Sequence, residues 1–122
     1  MRCILAFALA ALLFPSVAPA CGSFGRDDSA VGKVQSSWGP AERLMAHGEY
    51  AKALKELQAT AQFLPSIHDA STRACVAEGA NIRIVAARAG AAYLSQHPGD
   101  SAGAKTAQDK AWRAFPLRHD CP

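Results

Sequence analysis

The sequence predicts an all-α fold. From Pro40 onward its apolar residues recur every three or four positions, the period of a helix with one buried face. Gly48, Pro65, Pro98-Gly99 and Pro116 punctuate that pattern at the places where helices stop. No alternating run rich in β-branched residues competes with it.

The first 20 residues read as a separate segment. Arg2 supplies a positive start, "CILAFALAALLF" (Cys3 to Phe14) an apolar run, and "PSVAPA" a small-residue cleavage region ending at Ala20. That order is a secretory signal peptide. The run is shorter than the roughly 20 residues that span a bilayer. Export leaves a chain starting at Cys21, long enough for a single small domain with a thin core. Removing Arg2 with the leader leaves a net charge of +2. With no dense basic block, this excludes nucleic acid as a partner and leaves the membrane as a partner only through a lipid on Cys21.

Residues 21–39, "CGSFGRDDSAVGKVQSSWG", hold four Gly and four Ser and predict an irregular or partly helical lead-in. The single helical domain is expected over 40–122. "PAERLMAH" (Pro40 to His47) predicts a short helix with Pro at its first position and Gly48 as the left-handed residue past its end. "EYAKALKELQATAQFL" (Glu49 to Leu64) is the clearest helix, with Tyr50, Ala53, Leu54, Leu57 and Ala61 on one stripe and Leu64 continuing it. Lys52 and Glu56, four apart, predict an ion pair worth a few tenths of a kcal/mol.

Asp69 is placed to cap the next helix. One long helix over about 67–96 is expected, with Val76, Ala80, Ile84, Ala87 and Leu94 on its buried face and Ala77, Val85, Ala89 and Tyr93 widening it. A break near Gly79 is the alternative, because Gly costs about 1 kcal/mol against Ala inside a helix. Asp100 or Ser101 caps a last helix running to Phe115, with Ala104, Ala107, Ala111, Trp112 and Phe115 on its apolar side.

"Gly48-x-Tyr50-x-x-Ala53", with Ala41 and Leu44 before it and Pro65 closing it, resembles a tetratricopeptide repeat over about residues 34–67. The resemblance implies a helical hairpin extended by the long helix and a C-terminal capping helix, and a protein or peptide as partner. "YLSQHPGDSAGAKTAQDKAWRAF" also looks like the repeat boundaries of periplasmic proteins of this kind. The chain departs from the family at the usual Trp-x-x-Leu-Gly start, where Trp38 is out of register by one, and in its second period, which carries Gly79-Ala80-Asn81 in place of the turn. "YLSQHP" followed by "AWRAFP" and a nearby Cys is similar to the C-terminal part of small periplasmic immunity proteins, which neutralise cell-wall-cleaving effectors.

Cys3 leaves with the leader, and Cys21, Cys75 and Cys121 remain, an odd number for an exported protein. If the last helix folds back on the long one, it returns about 24 Å of the roughly 31 Å between Gln96 and Cys75. The extended tail spans the rest, so a Cys75–Cys121 disulfide is expected, worth about 4 kcal/mol on the chain-entropy treatment. A Cys21–Cys121 bridge is the alternative. Cys21 is also a candidate lipidation site, although "APA" before it lacks the Leu of a lipobox and reads as an ordinary cleavage region.

No metal, cofactor or catalytic site is expected. His47, His68 and His97 are scattered, and His119-x-Cys121 has no partner pair at ligand spacing. Nucleophile-elbow, zinc-protease and phosphate-loop patterns are missing. Glu49 and Glu56 share a face with Lys52 and Lys55 beside them, the pattern of a solvated surface. The sequence therefore predicts an exported, periplasmic or secreted protein that is not an enzyme, and the tetratricopeptide resemblance implies that it is a protein-binding module. The alternatives are an immunity or inhibitor protein, or a lipid-anchored structural component of the outer membrane.

Overall fold

The computed structural model describes residues 27–118, and all of its regular structure there is helical. The expected leader (1–20), Cys21 and Cys121 lie outside the described residues. Helix α1 occupies 27–35. It is followed by α2 (Trp38–Ala46), α3 (Tyr50–Ala61), a 3-10 turn (Leu64–Ser66), α4 (Ala70–Gln96) and α5 (Ser101–Ala114).

The lead-in is more ordered than its composition suggests. Ala30 and Val34 of α1 are buried with Ile67, Val76 and Ala80. The Asp27 carboxylate accepts from the backbone N–H groups of His68 (2.8 Å) and Asp69 (3.1 Å). Tertiary burial and this two-point clamp override the Gly/Ser content of 27–39. Helix α2 starts at Trp38, two residues before Pro40. The first N–H groups of a helix have no internal acceptor, so Pro40 removes no bond there.

Gly48 ends α2 with φ +75°. The Gly48 N–H bonds to the Met45 carbonyl and the Glu49 N–H to the Leu44 carbonyl, the paired closure of a Schellman motif. Helix α3 begins at Tyr50 and ends at Ala61, three residues short of the expected Leu64. Pro65 has no N–H to give the Ala61 carbonyl and disfavours helical geometry at Leu64, so the chain turns into the 3-10 segment.

Helix α4 is one continuous helix through Gly79, capped by Asp69, whose side chain accepts from the Thr72 N–H at 2.7 Å. Val76, Ala80 and Ala87 are buried as expected, with Ile84 and Leu94 packed at the edge. Val85, expected to widen that face, stands 38% exposed, and Glu78, Ile82, Ala86 and Gly90 form a second buried row instead. Asp100 caps α5 through the Gly103 N–H at 3.0 Å. Phe115 falls just past the helix, in extended geometry ahead of Pro116.

The main core joins Ala41, Met45, Tyr50, Ala53, Leu57, Ala87 and Ala104 from four helices. Helix α5 returns along α4, its most extensive neighbour. Helix α2 runs parallel to α4, since Trp38 meets Gly79 and Glu42 pairs with Arg83 at the same sequence offset.

Candidate functional site

Where the α2–α3 turn meets the last turns of α4, the surface opens into a groove of ≈ 410 Å³. Glu49, Tyr50, Ala51 and Lys52 line one wall, and Ala91, Leu94 and Ser95 the other. The Schellman turn fixes the first wall by holding the entry into α3, and α4 supplies the second. The wall is chiefly apolar because Tyr50, Ala91 and Leu94 also belong to the core or pack against it.

At the rim Lys52 Nζ pairs with Glu49 Oε1 at 2.6 Å, three residues away, in place of the expected Glu56. This contact holds the Glu49 carboxyl below its usual range. Tyr50 is 3% exposed and donates to Gln108 Oε1 at 3.1 Å, which ties the groove to α5. Burial raises the Tyr50 phenol.

A second groove, ≈ 370 Å³, lies between α4 and the start of the C-terminal tail, lined by Ala74, Ala77, Glu78, Asn81, Phe115 and Arg118 among others. Glu78 is buried and accepts from the Arg118 backbone N–H at 2.7 Å. Cys75, one turn earlier on α4, is half-buried and disulfide-bonded. The cysteine it is joined to lies outside the described residues, as do both other candidate site residues, Cys21 and Cys121.

Between the grooves, Arg83 draws three helices together. Its guanidinium lies 4.0 Å from the Trp38 ring centroid and 5.3 Å from that of Trp112. Its Nε donates to Glu42 at 2.8 Å and one terminal nitrogen donates to the Gly79 carbonyl at 2.7 Å. No stripe of cations in the sequence singles out this residue. Two tryptophans placed either side of it in the chain carried the signal, legible only once α2 and α5 are known to flank α4.

Other polar contacts are caps and clamps. Backbone donors at His68 and Asp69 depress the Asp27 carboxyl, and Thr72 depresses Asp69. The Tyr93 hydroxyl donates to Asp100 at 2.6 Å, which lowers the Asp100 carboxyl and raises the Tyr93 phenol. His47, His68 and His97 stand apart and exposed. Among the described residues no group of three or more His, Cys, Asp or Glu is placed to hold a metal ion, and no helix is long and apolar enough to cross a membrane. No family model matches the chain, and no curated protein or solved structure matches it either.

Proposed function

We propose that this chain is an exported protein-binding module of the periplasm or cell envelope, without chemistry of its own, and that it takes a protein or peptide segment in the groove beside Tyr50. The observation that carries this reading is the groove itself: open, largely apolar, and built on two helices and a fixed turn. Rigid walls reduce the ordering cost of binding. The tetratricopeptide resemblance supports it. Ala41 and Ala53 are fully buried at the positions where that family places small residues, and Gly48 takes the left-handed turn between the two helices.

A reading as a small immunity or inhibitor protein draws support from the disulfide-bonded Cys75 and the His97–Asp100 corner in an all-helical chain. Both readings are of a binder. They differ in whether the partner is an assembly component or a cell-wall-cleaving enzyme.

The test is affinity capture from envelope extract with the native chain and with an Ala51→Arg/Ser95→Arg variant, both positions being exposed on the groove walls. The native chain is expected to retain a partner that the variant loses by about tenfold or more, roughly 1.4 kcal/mol. Equal capture by both, or turnover of a cell-wall or peptide substrate by the chain alone, overturns the proposal.

A further inference from the structure

Both walls of the groove beside Tyr50 continue along their helices toward a positive end. Tyr50 at the start of α3 meets Gly90 near the end of α4, and the chain turns from the end of α3 directly into the start of α4, so the two helices run antiparallel. Ala51 lines the groove from α3, and Lys55 stands one turn further along the same stripe. Ala91 and Ser95 line it from α4, and Arg88 stands one turn before Ala91 on their stripe. Antiparallel packing brings those two steps to the same end of the groove, the end away from the Gly48 turn.

Lys55 and Arg88 are exposed, and among the described residues neither enters an ion pair. Lys52 on the rim is answered by Glu49, and Lys105 on α5 by Asp109. Neither wall offers the other two cations an acid. Helix α4 carries no acidic residue after Glu78, about 15 Å before Arg88 along the helix. On α3, Glu56 stands one turn before Thr60, whose hydroxyl meets Ser37 at the head of α2, so Glu56 lies on the α2 edge of the helix.

We propose that the groove takes an acidic peptide segment of another protein, with an apolar side chain entering between Ala51, Ala91 and Leu94 and a carboxylate of the same segment lying across Lys55 and Arg88. This rests on the groove being a peptide site. The helices set the spacing. One turn of α3 or α4 rises about 5.4 Å. An extended peptide covers about 6.6 Å in two residues, and residues two apart point to the same side. A helical peptide covers about 6 Å in four residues, again on one side. The partner therefore carries Asp or Glu two positions from a large apolar residue when extended, and four positions from it when helical. Exposed ion pairs contribute little affinity each. The cations thus select which segment enters, and the apolar wall supplies most of the binding.

The test is selection from a random peptide-display library on the immobilised full chain. The selected peptides are expected to be rich in Asp or Glu at those spacings from Leu, Ile or Phe. A synthetic member is then followed by fluorescence anisotropy. It should bind about fivefold more weakly when its acid is changed to the amide, and the unchanged peptide about fivefold more weakly to a Lys55→Gln/Arg88→Gln chain. The two losses should not add, because each removes the same contact. A neutral, bulkier Ala51→Gln/Ser95→Gln chain should lose the peptide by about tenfold or more. All four substituted positions are exposed, so the far-UV helical signal should be unchanged.

Apolar peptides selected without acids, or equal binding by the Lys55→Gln/Arg88→Gln chain, overturn the acidic preference and leave the groove as a peptide site. A selection that returns no peptide, or peptides that the Ala51→Gln/Ser95→Gln chain holds equally well, overturns both. Self-association of the native chain that this variant abolishes puts a second copy in the groove and overturns the proposal. Binding of phosphatidylglycerol vesicles through Lys55 and Arg88 in place of peptide does so too.

Discussion

The ring of Tyr50 fills the space that a side chain on Gly90 would need. The same relation recurs on either side of it: Trp38 sits over Gly79, where an added Cβ would come within 2.5 Å of the ring, and Tyr93 sits over Gly103. In each pair an aromatic from one helix enters the gap left by a missing side chain on the next. These contacts let α4 accept α2, α3 and α5 at once.

Substituting Gly90→Ala tests the contact with the most buried of these rings. Alanine gains up to about 1 kcal/mol of helix propensity. The methyl group meets a ring that is buried and tethered at its hydroxyl by Gln108, and overpacking of this kind costs about 1–3 kcal/mol or more. A net loss is expected in urea unfolding. Gly32→Ala is the control: nothing lies within 4 Å of its added methyl, and it sits in the exposed side of α1. It should stabilise by about 0.5–1 kcal/mol. A Gly90→Ala chain as stable as the native one would show that the Tyr50 ring yields.

Arg83→Ala is expected to destabilise the chain by about 2–3 kcal/mol. It removes a stacked cation at two rings and two charge-assisted hydrogen bonds at a largely buried position. Arg83→Lys should recover less than half of that, since an ammonium cannot serve the Glu42 carboxylate, the Gly79 carbonyl and a ring face together. The chain's two tryptophans, Trp38 and Trp112, both lie on this guanidinium. Their fluorescence should therefore shift in the folded state of either variant, and an unchanged spectrum would contradict the arrangement.

Stability should fall on acidification. Asp27, Asp69, Asp100 and Glu49 all have folded-state pKa values below the ordinary 3.8 and 4.5 of their side chains. The unfolded chain therefore binds more protons across that window. The stabilisation is complete above the unfolded values and is lost as pH falls through the folded ones. Urea midpoints should hold steady near neutrality and drop between about pH 5 and pH 3. Asp27→Asn keeps an acceptor at the α1 clamp but removes one titration, so its acid limb should be shallower. The raised Tyr50 and Tyr93 phenols reverse the sign at the other end, with stability declining above about pH 10. A midpoint flat from pH 6 to pH 3 would refute the acid limb.

Much of the helical order was legible because it rests on local chemistry. Gly48 supplies a conformation that other residues resist, Asp69 and Asp100 cap the N–H groups within three residues of them, and Pro65 and Pro116 remove donors and restrict their predecessors. The candidate site was less legible. Tyr50 and Leu94 read as core residues, and that they also wall a groove depends on how α3 meets α4. Glu56 was the expected partner of Lys52, but the turn brings Glu49 closer.

By itself the sequence determined an all-helical chain, the breaks between α2, α3, α4 and α5, and one buried face of α4, because periodicity and capping act over a few residues. Tertiary structure alone decided which part of the irregular or partly helical lead-in is the helix α1, that α4 is buried on a second face, and that Arg83 lies between two tryptophans. The last two outcomes depend on small residues at Gly79, Ala86 and Gly90, which carry almost no hydropathy signal. They become informative only when another helix's aromatic ring or apolar side chain occupies the space they leave.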